Sequence, residues 1–80
     1  MNVFAVLDAV VLMRRRLKDV PGIVAIDVGF EEAVVYLKDE QARKDFPEEY
    51  LPEVMGVPVR LVTVDEYYFS YSVTKEGDDY

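Results

Sequence analysis

The sequence predicts a small α+β domain with the element order α-β-β-α-β. Three patterns predict it: helical spacing of apolar residues near the N-terminus, two strands separated by a short polar turn, and a short helix ahead of a third strand. With short connections, these elements form a three-stranded, mainly antiparallel sheet with both helices packed on one face. The sheet has four strands if the aromatic segment near residue 70 pairs again.

The first helix is predicted over residues 2–19. Asn2 can cap its start, Arg14-Arg15-Arg16 lie in its last turns, where the helix dipole favours cations, and Pro21-Gly22 ends it. Its core-facing stripe is predicted from apolar spacings of three and four: Val3, Val6, Val10, Met13 and Leu17.

A second apolar stripe lies beside the first on the same helix. Phe4, Leu7 and Val11 form it when each residue advances by about 100° around the helix axis. Two interpretations stay open: a wide helix face meets a curved sheet, or something else covers this second stripe.

A hairpin is predicted next, with strands over residues 23–30 and 33–37. Alternation along the first strand places Val24, Ile26, Val28 and Phe30 on one face. The turn has no Asn-Gly or Asp-Gly signature, so Gly29 is expected to adopt the unusual backbone angle, for example in a bulge.

Asp39 is predicted to cap a short helix over residues 40–46, with Glu40 and Lys44 at the favourable i,i+4 spacing. A connector over residues 48–56 follows, and its apolar residues are expected to lie under the domain edge: Leu51, Val54 and Met55. The third strand begins at Val57 and extends at least to residue 64.

The predicted sheet leaves one face without helices. Six largely apolar residues are candidates for this face, and an apolar patch of that size is seldom left exposed to water. They are Ile23, Ala25, Val34, Tyr36, Val62 and Val64. This face is therefore expected to meet a partner.

The chemistry-bearing residues are few. The chain has no cysteine and no histidine, which excludes disulfides, thiolate metal sites and Ser-His or Cys-His nucleophilic pairs. Adjacent carboxylates lie at turns or strand ends. Neighbouring side chains on an extended chain point to opposite faces, so these pairs are poorly placed to bind one metal ion. Asp27, the one carboxylate inside a strand, is expected to be solvated or at an edge, paired with Arg60 or Lys38, unless that face meets another subunit. No catalytic, cofactor or metal site is predicted.

The net charge of −7 opposes direct nucleic-acid binding, since such proteins cluster Lys and Arg against phosphates. The apolar stretch over residues 3–13 is shorter than the roughly 20 residues a membrane span needs. Positive charge follows that stretch instead of preceding it as in a secretory signal, so a cytoplasmic protein is expected.

One resemblance to a known family covers residues 20–62. The strings Val20-Pro21-Gly22-Ile23-Val24, residues 34–40 (VVYLKDE), Leu51-Pro52 and Gly56-Val57-Pro58-Val59 carry it. Together they resemble the small segment preceding the protease domain in some bacterial and archaeal trypsin-like peptidases. Ala25 and Asp27 replace positions that are often glycine there, and no peptidase domain follows. The resemblance implies a fold and an accessory role, and no catalytic residue carries over.

The sequence thus predicts a non-enzymatic protein-binding or adaptor module that associates with itself, a dimer being favoured. The expected domain spans residues 1–73, with a polar tail over residues 74–80. The candidate interface residues are Phe4, Leu7, Val11, Ile23, Ala25, Val34, Tyr36, Tyr67, Tyr68, Phe69 and Tyr71. The alternative is an acidic inhibitor of the phage or plasmid type, which presents carboxylates to a basic, nucleic-acid-binding groove on a host protein.

Overall fold

The predicted α+β order is confirmed in a computed structural model, which describes residues 2–64. The predicted elements all form, and two short ones are added between α2 and the last strand. In chain order they are α1 Val3–Arg16, β1 Ile23–Val28, β2 Ala33–Leu37, α2 Glu40–Lys44, a 3₁₀ helix Glu48–Tyr50, β3 Glu53–Val54 and β4 Val57–Thr63.

The sheet has four strands in the order β1-β2-β4-β3. β1 pairs antiparallel with β2, where Ile26 faces Val35, and β2 pairs parallel with β4, where Val35 lies beside Leu61. β3 pairs antiparallel with β4 through Val54 and Val57. Two of the three pairings are antiparallel, so the sheet is mixed, and β1 is an edge strand.

The core lies between one sheet face and the two helices. Its buried residues come from α1, the inner face of the sheet, α2 and the segments that follow each helix: Val6, Ala9, Val10, Met13, Leu17, Ile26, Ala33, Val35, Leu37, Ala42, Phe46, Val54 and Val57. Since residues of both helices share this one cluster, the helices cover the same face, as predicted. The opposite face of the sheet is called the outer face below.

Helix α1 begins and ends close to the predicted positions. The Asn2 side chain accepts a hydrogen bond of 2.7 Å from the Phe4 N–H, and the Leu17 N–H closes the last turn on the Met13 carbonyl. Val3 was assigned to the core-facing stripe, and that assignment is wrong, because this first residue of the helix is exposed.

A β-bulge in β1 corrects the predicted face of Ile23. Ile23 pairs with Leu37 but Ala25 pairs with Tyr36, so Val24 is an extra residue in the ladder. The bulge turns Ile23 to the helix side, where it packs against the core, and leaves Val24 exposed. The outer-face candidate Ile23 and the inner-face candidate Val24 were therefore both misplaced.

The β1–β2 turn also differs from the expectation. The Gly29 N–H donates to the Glu32 carbonyl at 2.8 Å, which puts Phe30 at the tip of the turn, 89% exposed. Glu31, and not Gly29, has the positive φ, at 55°. Gly29 is required for space instead, because a Cβ there would lie 2.8 Å from a methyl group of Val34.

Helix α2 has the predicted cap. The Asp39 side chain accepts a hydrogen bond of 2.9 Å from the Ala42 N–H. Glu40 pairs with Arg43 at 3.3 Å, and not with Lys44 as the i,i+4 spacing predicted. Arg43 also donates to the Leu61 carbonyl at 3.2 Å, and this second contact with the sheet favours it over the exposed Lys44.

The connector forms a second hairpin that the sequence did not predict. Met55 and Gly56 have φ of 53° and 79°, the pattern of a two-residue type I′ turn, and they join β3 to β4. Val54 is buried as expected, whereas Met55 is exposed on the turn and was wrongly placed under the domain edge.

Candidate interaction surface

The outer face of the sheet does not present the apolar surface that the sequence predicted. Val34 is only 4% exposed, although it lies on the side away from the helices. Its register partner Arg60 forms an ion pair with Glu32 at 2.9 Å, so the two charged side chains lie beside Val34. Tyr36 is partly buried. Ala25 is exposed, but its side chain is a single methyl group and offers little apolar area.

The second stripe of α1 is exposed, so the sheet does not cover it, a question that the sequence had left open. Phe4, Leu7 and Val11 are 69%, 45% and 40% exposed. Val3 is exposed beside them and extends the same surface by one position. Spacings of three and four make these four residues contiguous along about three turns, and the name α1 stripe is used for them below.

Phe30 enlarges the N-terminal end of the α1 stripe. It shares a groove of about 250 Å³ with Val3 and Val6 of the helix and with Gly29 and Glu31 of the β1–β2 turn. The two exposed apolar side chains Val3 and Phe30 therefore border one concavity. Sequence alternation had placed Phe30 inside a strand, so its contribution to this surface was not predicted.

The C-terminal end of the α1 stripe is basic. Arg14 and Arg15 follow Val11 on the same side of the helix, and Lys18 lies just beyond the helix end. They belong to a run that holds four of the nine lysines and arginines of the chain. Arg15 and Lys18 form no ion pair with another described residue. The α1 stripe thus runs from an apolar end beside Phe30 and Glu31 to a basic end beside the bulge of β1.

Arg14 is held differently from the other basic residues. Its Nε donates a hydrogen bond of 2.9 Å to the Ile26 carbonyl on the free edge of β1, and its guanidinium lies 4.0 Å from Asp27. The Asp27 carboxylate in turn accepts a hydrogen bond of 2.8 Å from the Val28 N–H. Asp27 lies on the edge strand of the sheet, one of the positions predicted for it from the sequence. Its cationic neighbour is Arg14 and not Arg60 or Lys38.

The remaining large exposed apolar side chains among residues 2–64 are Val24 and Met55. Val24 lines a groove of about 310 Å³ with Arg14, Leu17 and Lys18 at the other end of α1. Met55 lies on the β3–β4 turn. Scattered exposed apolar residues of this kind are normal on a soluble protein, so these two serve best as comparison sites for the α1 stripe.

Residues 2–64 contain no group of three or more acidic residues placed to hold a metal ion. Within the same residues, no fully buried side-chain nitrogen or oxygen lacks a hydrogen-bond partner.

Four predicted interface residues lie outside the described residues: Tyr67, Tyr68, Phe69 and Tyr71. The predicted polar tail over residues 74–80 does so as well. Of the described candidates, the structure brings together Phe4, Leu7 and Val11 on one surface. Ala25, Val34 and Tyr36 lie on the outer face of the sheet, and Ile23 is in the core.

Comparison with known proteins gave no match to a family model, to a curated protein or to a solved structure. The resemblance of residues 20–62 to the segment preceding some trypsin-like protease domains stays a prediction. Among the described helices, none is both long and apolar enough to cross a membrane.

Proposed function

We propose that this chain is a small, non-enzymatic protein-binding module that associates with itself through the α1 stripe. The observation that carries the proposal is the contiguity of Val3, Phe4, Leu7 and Val11, which are all at least 40% exposed. A helix of a two-layer domain normally turns one apolar stripe to the sheet and polar residues to water. Here a second stripe of large apolar side chains faces away from the core.

The exposed area sets the strength of the expected association. Removing about 500 Å² of apolar surface per subunit from water contributes on the order of 10 kcal/mol before the cost of association is subtracted. The surface area that the two subunits would bury together is at the low end of the range for specific protein interfaces. The expected complex is therefore one that forms and dissociates in the micromolar range.

The test is light scattering over a dilution series of the full chain, from about 1 to 500 μM, a range that brackets micromolar affinity. The native sequence is expected to change from monomer to dimer within this range. The double substitution Leu7→Ser with Val11→Ser is expected to remain monomeric, because it removes the centre of the α1 stripe. Val24→Ser with Met55→Ser is the matched control, since it removes two exposed apolar side chains elsewhere and should leave the dimer intact.

Salt separates this proposal from the acidic inhibitor. Apolar association holds or strengthens as ionic strength rises, whereas carboxylates bound to a basic groove are screened within a Debye length of about 10 Å at 0.1 M salt. A chain that stays monomeric at the highest concentration at every salt level would contradict self-association.

A further inference from the structure

The α1 stripe has two unlike ends, and this determines how a second copy can meet it. At one end Val3 borders the groove that also holds Phe30 and Glu31. At the other end Arg14 and Arg15 follow Val11. A stripe that is apolar in the middle, with an acidic group at one end and cations at the other, is complementary to itself only when reversed.

The edge of β1 is a less favourable route for self-association through the sheet. Strand addition needs free N–H and carbonyl groups along an edge. The Ile26 carbonyl already accepts from Arg14, and the Val28 N–H already donates to Asp27, so two of the edge groups are occupied.

We propose that two copies of the chain pair through their α1 stripes in antiparallel orientation, about a twofold axis near Leu7. The inference rests on the proposed self-association through the α1 stripe and adds the orientation of the two copies. Such an interface is isologous, so each contact occurs twice. Val3 of one copy lies opposite Val11 of the other, because each is four residues, or about 6 Å along the helix, from Leu7.

The ends of the helices then meet with complementary charge. Helical side chains lean toward the N-terminus, so the Arg15 guanidinium of one copy comes level with Phe4 of the second copy, on the same side of the helix pair. That placement suits a cation–π contact. On the other side Arg14 faces the end that carries Glu31. The antiparallel arrangement also sets opposite ends of the two helix dipoles together, whereas a parallel pair would bring both arginine clusters into contact.

The chain has no cysteine, so single-cysteine variants of the full chain report the pairing without background. Val3→Cys and Val11→Cys proteins, distinguished by mass, are mixed and mildly oxidised. The expected product is the mixed disulfide, several-fold more abundant than either homodimer. Arg16→Cys, which is exposed on the opposite side of α1, is the control and should stay largely uncoupled.

Three results would overturn the inference. A dimer in which Val11→Cys couples mainly to itself is a parallel pair. In that case the proposed function stands. A dimer in which neither variant couples above the Arg16→Cys control uses another surface, which contradicts the α1 stripe in both proposals. A monomer overturns both proposals, and slow thiol labelling of Leu7→Cys in that monomer would assign the α1 stripe to contacts within the same chain.

Charge reversal gives an independent readout. Arg15→Glu is expected to weaken the dimer about fivefold to tenfold, because it removes the proposed cation–π contact with Phe4 and sets a negative charge against the face of the ring. Arg16→Glu makes the same change in net charge on the opposite side of α1 and should change the dissociation constant less than twofold. Equal effects of the two substitutions would overturn the antiparallel arrangement.

Discussion

The guanidinium of Arg14 occupies one backbone carbonyl on the free edge of β1 by donating a 2.9 Å hydrogen bond to Ile26. A side chain of α1 thus occupies a backbone group that an incoming strand would need. Edge strands are commonly protected by charged side chains and bulges, and β1 has both.

Arg14→Ala is expected to destabilise the fold by about 1 kcal/mol, because the Ile26 carbonyl loses its partner at a partly buried position. It should also increase higher-order aggregation, since part of the β1 edge becomes available. Urea unfolding and the scattering of concentrated samples measure the two effects. Arg16→Ala is the control, and aggregation no greater than in this control would show that Arg14 does not protect the edge.

Gly22→Ala is expected to cost about 2–4 kcal/mol in unfolding free energy, because two penalties coincide there. Gly22 has a φ of 90°, and a Cβ on it would lie 2.6 Å from the Ala42 Cβ. Gly56→Ala isolates the first penalty, since Gly56 has a φ of 79° with open space around it, and should cost about 1 kcal/mol. Equal losses in denaturant unfolding would mean that the contact with α2 can relax.

Met55→Asn is expected to raise stability by about 1 kcal/mol, because asparagine tolerates the positive φ of the first residue in a type I′ turn. Met55 is exposed, so little packing is lost. Met55→Ala lacks the same preference and is the control. A melting temperature for Met55→Asn no higher than that of Met55→Ala would count against the I′ assignment.

Val34→Ala should destabilise the chain by about 1–2 kcal/mol, as expected for a buried β-branched residue. Ala25→Ser, on the same sheet face but exposed, should change stability by less than about 0.5 kcal/mol. The comparison, made by urea unfolding, tests whether the outer face is covered at its centre. A small effect at Val34 would mean that the face is open, as the sequence had suggested.

The predictable part of the fold is the part with a clear period. The helical spacing of Val6, Val10 and Met13 predicted α1, and the apolar run at residues 33–37 predicted β2 with its observed bounds. The same 100° spacing grouped Phe4, Leu7 and Val11 on a second stripe, because a residue's position around a helix depends on sequence spacing alone. It left open whether the sheet covers that stripe, and it assigned Val3 to the core.

The unpredictable part depends on contacts distant in sequence. Residues 23–26 are all apolar, so alternation could not reveal the bulge at Val24 that reverses the face of Ile23. Arg60 lies beside Val34 because β2 and β4 pair in parallel register, and nothing in the local sequence indicates that pairing. The reach of Arg14 to Ile26 crosses from helix to strand, and no local pattern encodes it.

The position of β2 between an antiparallel and a parallel neighbour imposes an order on how the sheet can assemble. Its hairpin partner β1 is reached through a four-residue turn, whereas β4 is reached through a crossover that contains α2 and β3. Closing the longer loop costs roughly 1–2 kcal/mol more in chain entropy than closing the turn. The hairpin is therefore the natural nucleus, and substitutions in β4 should act mainly on the unfolding rate.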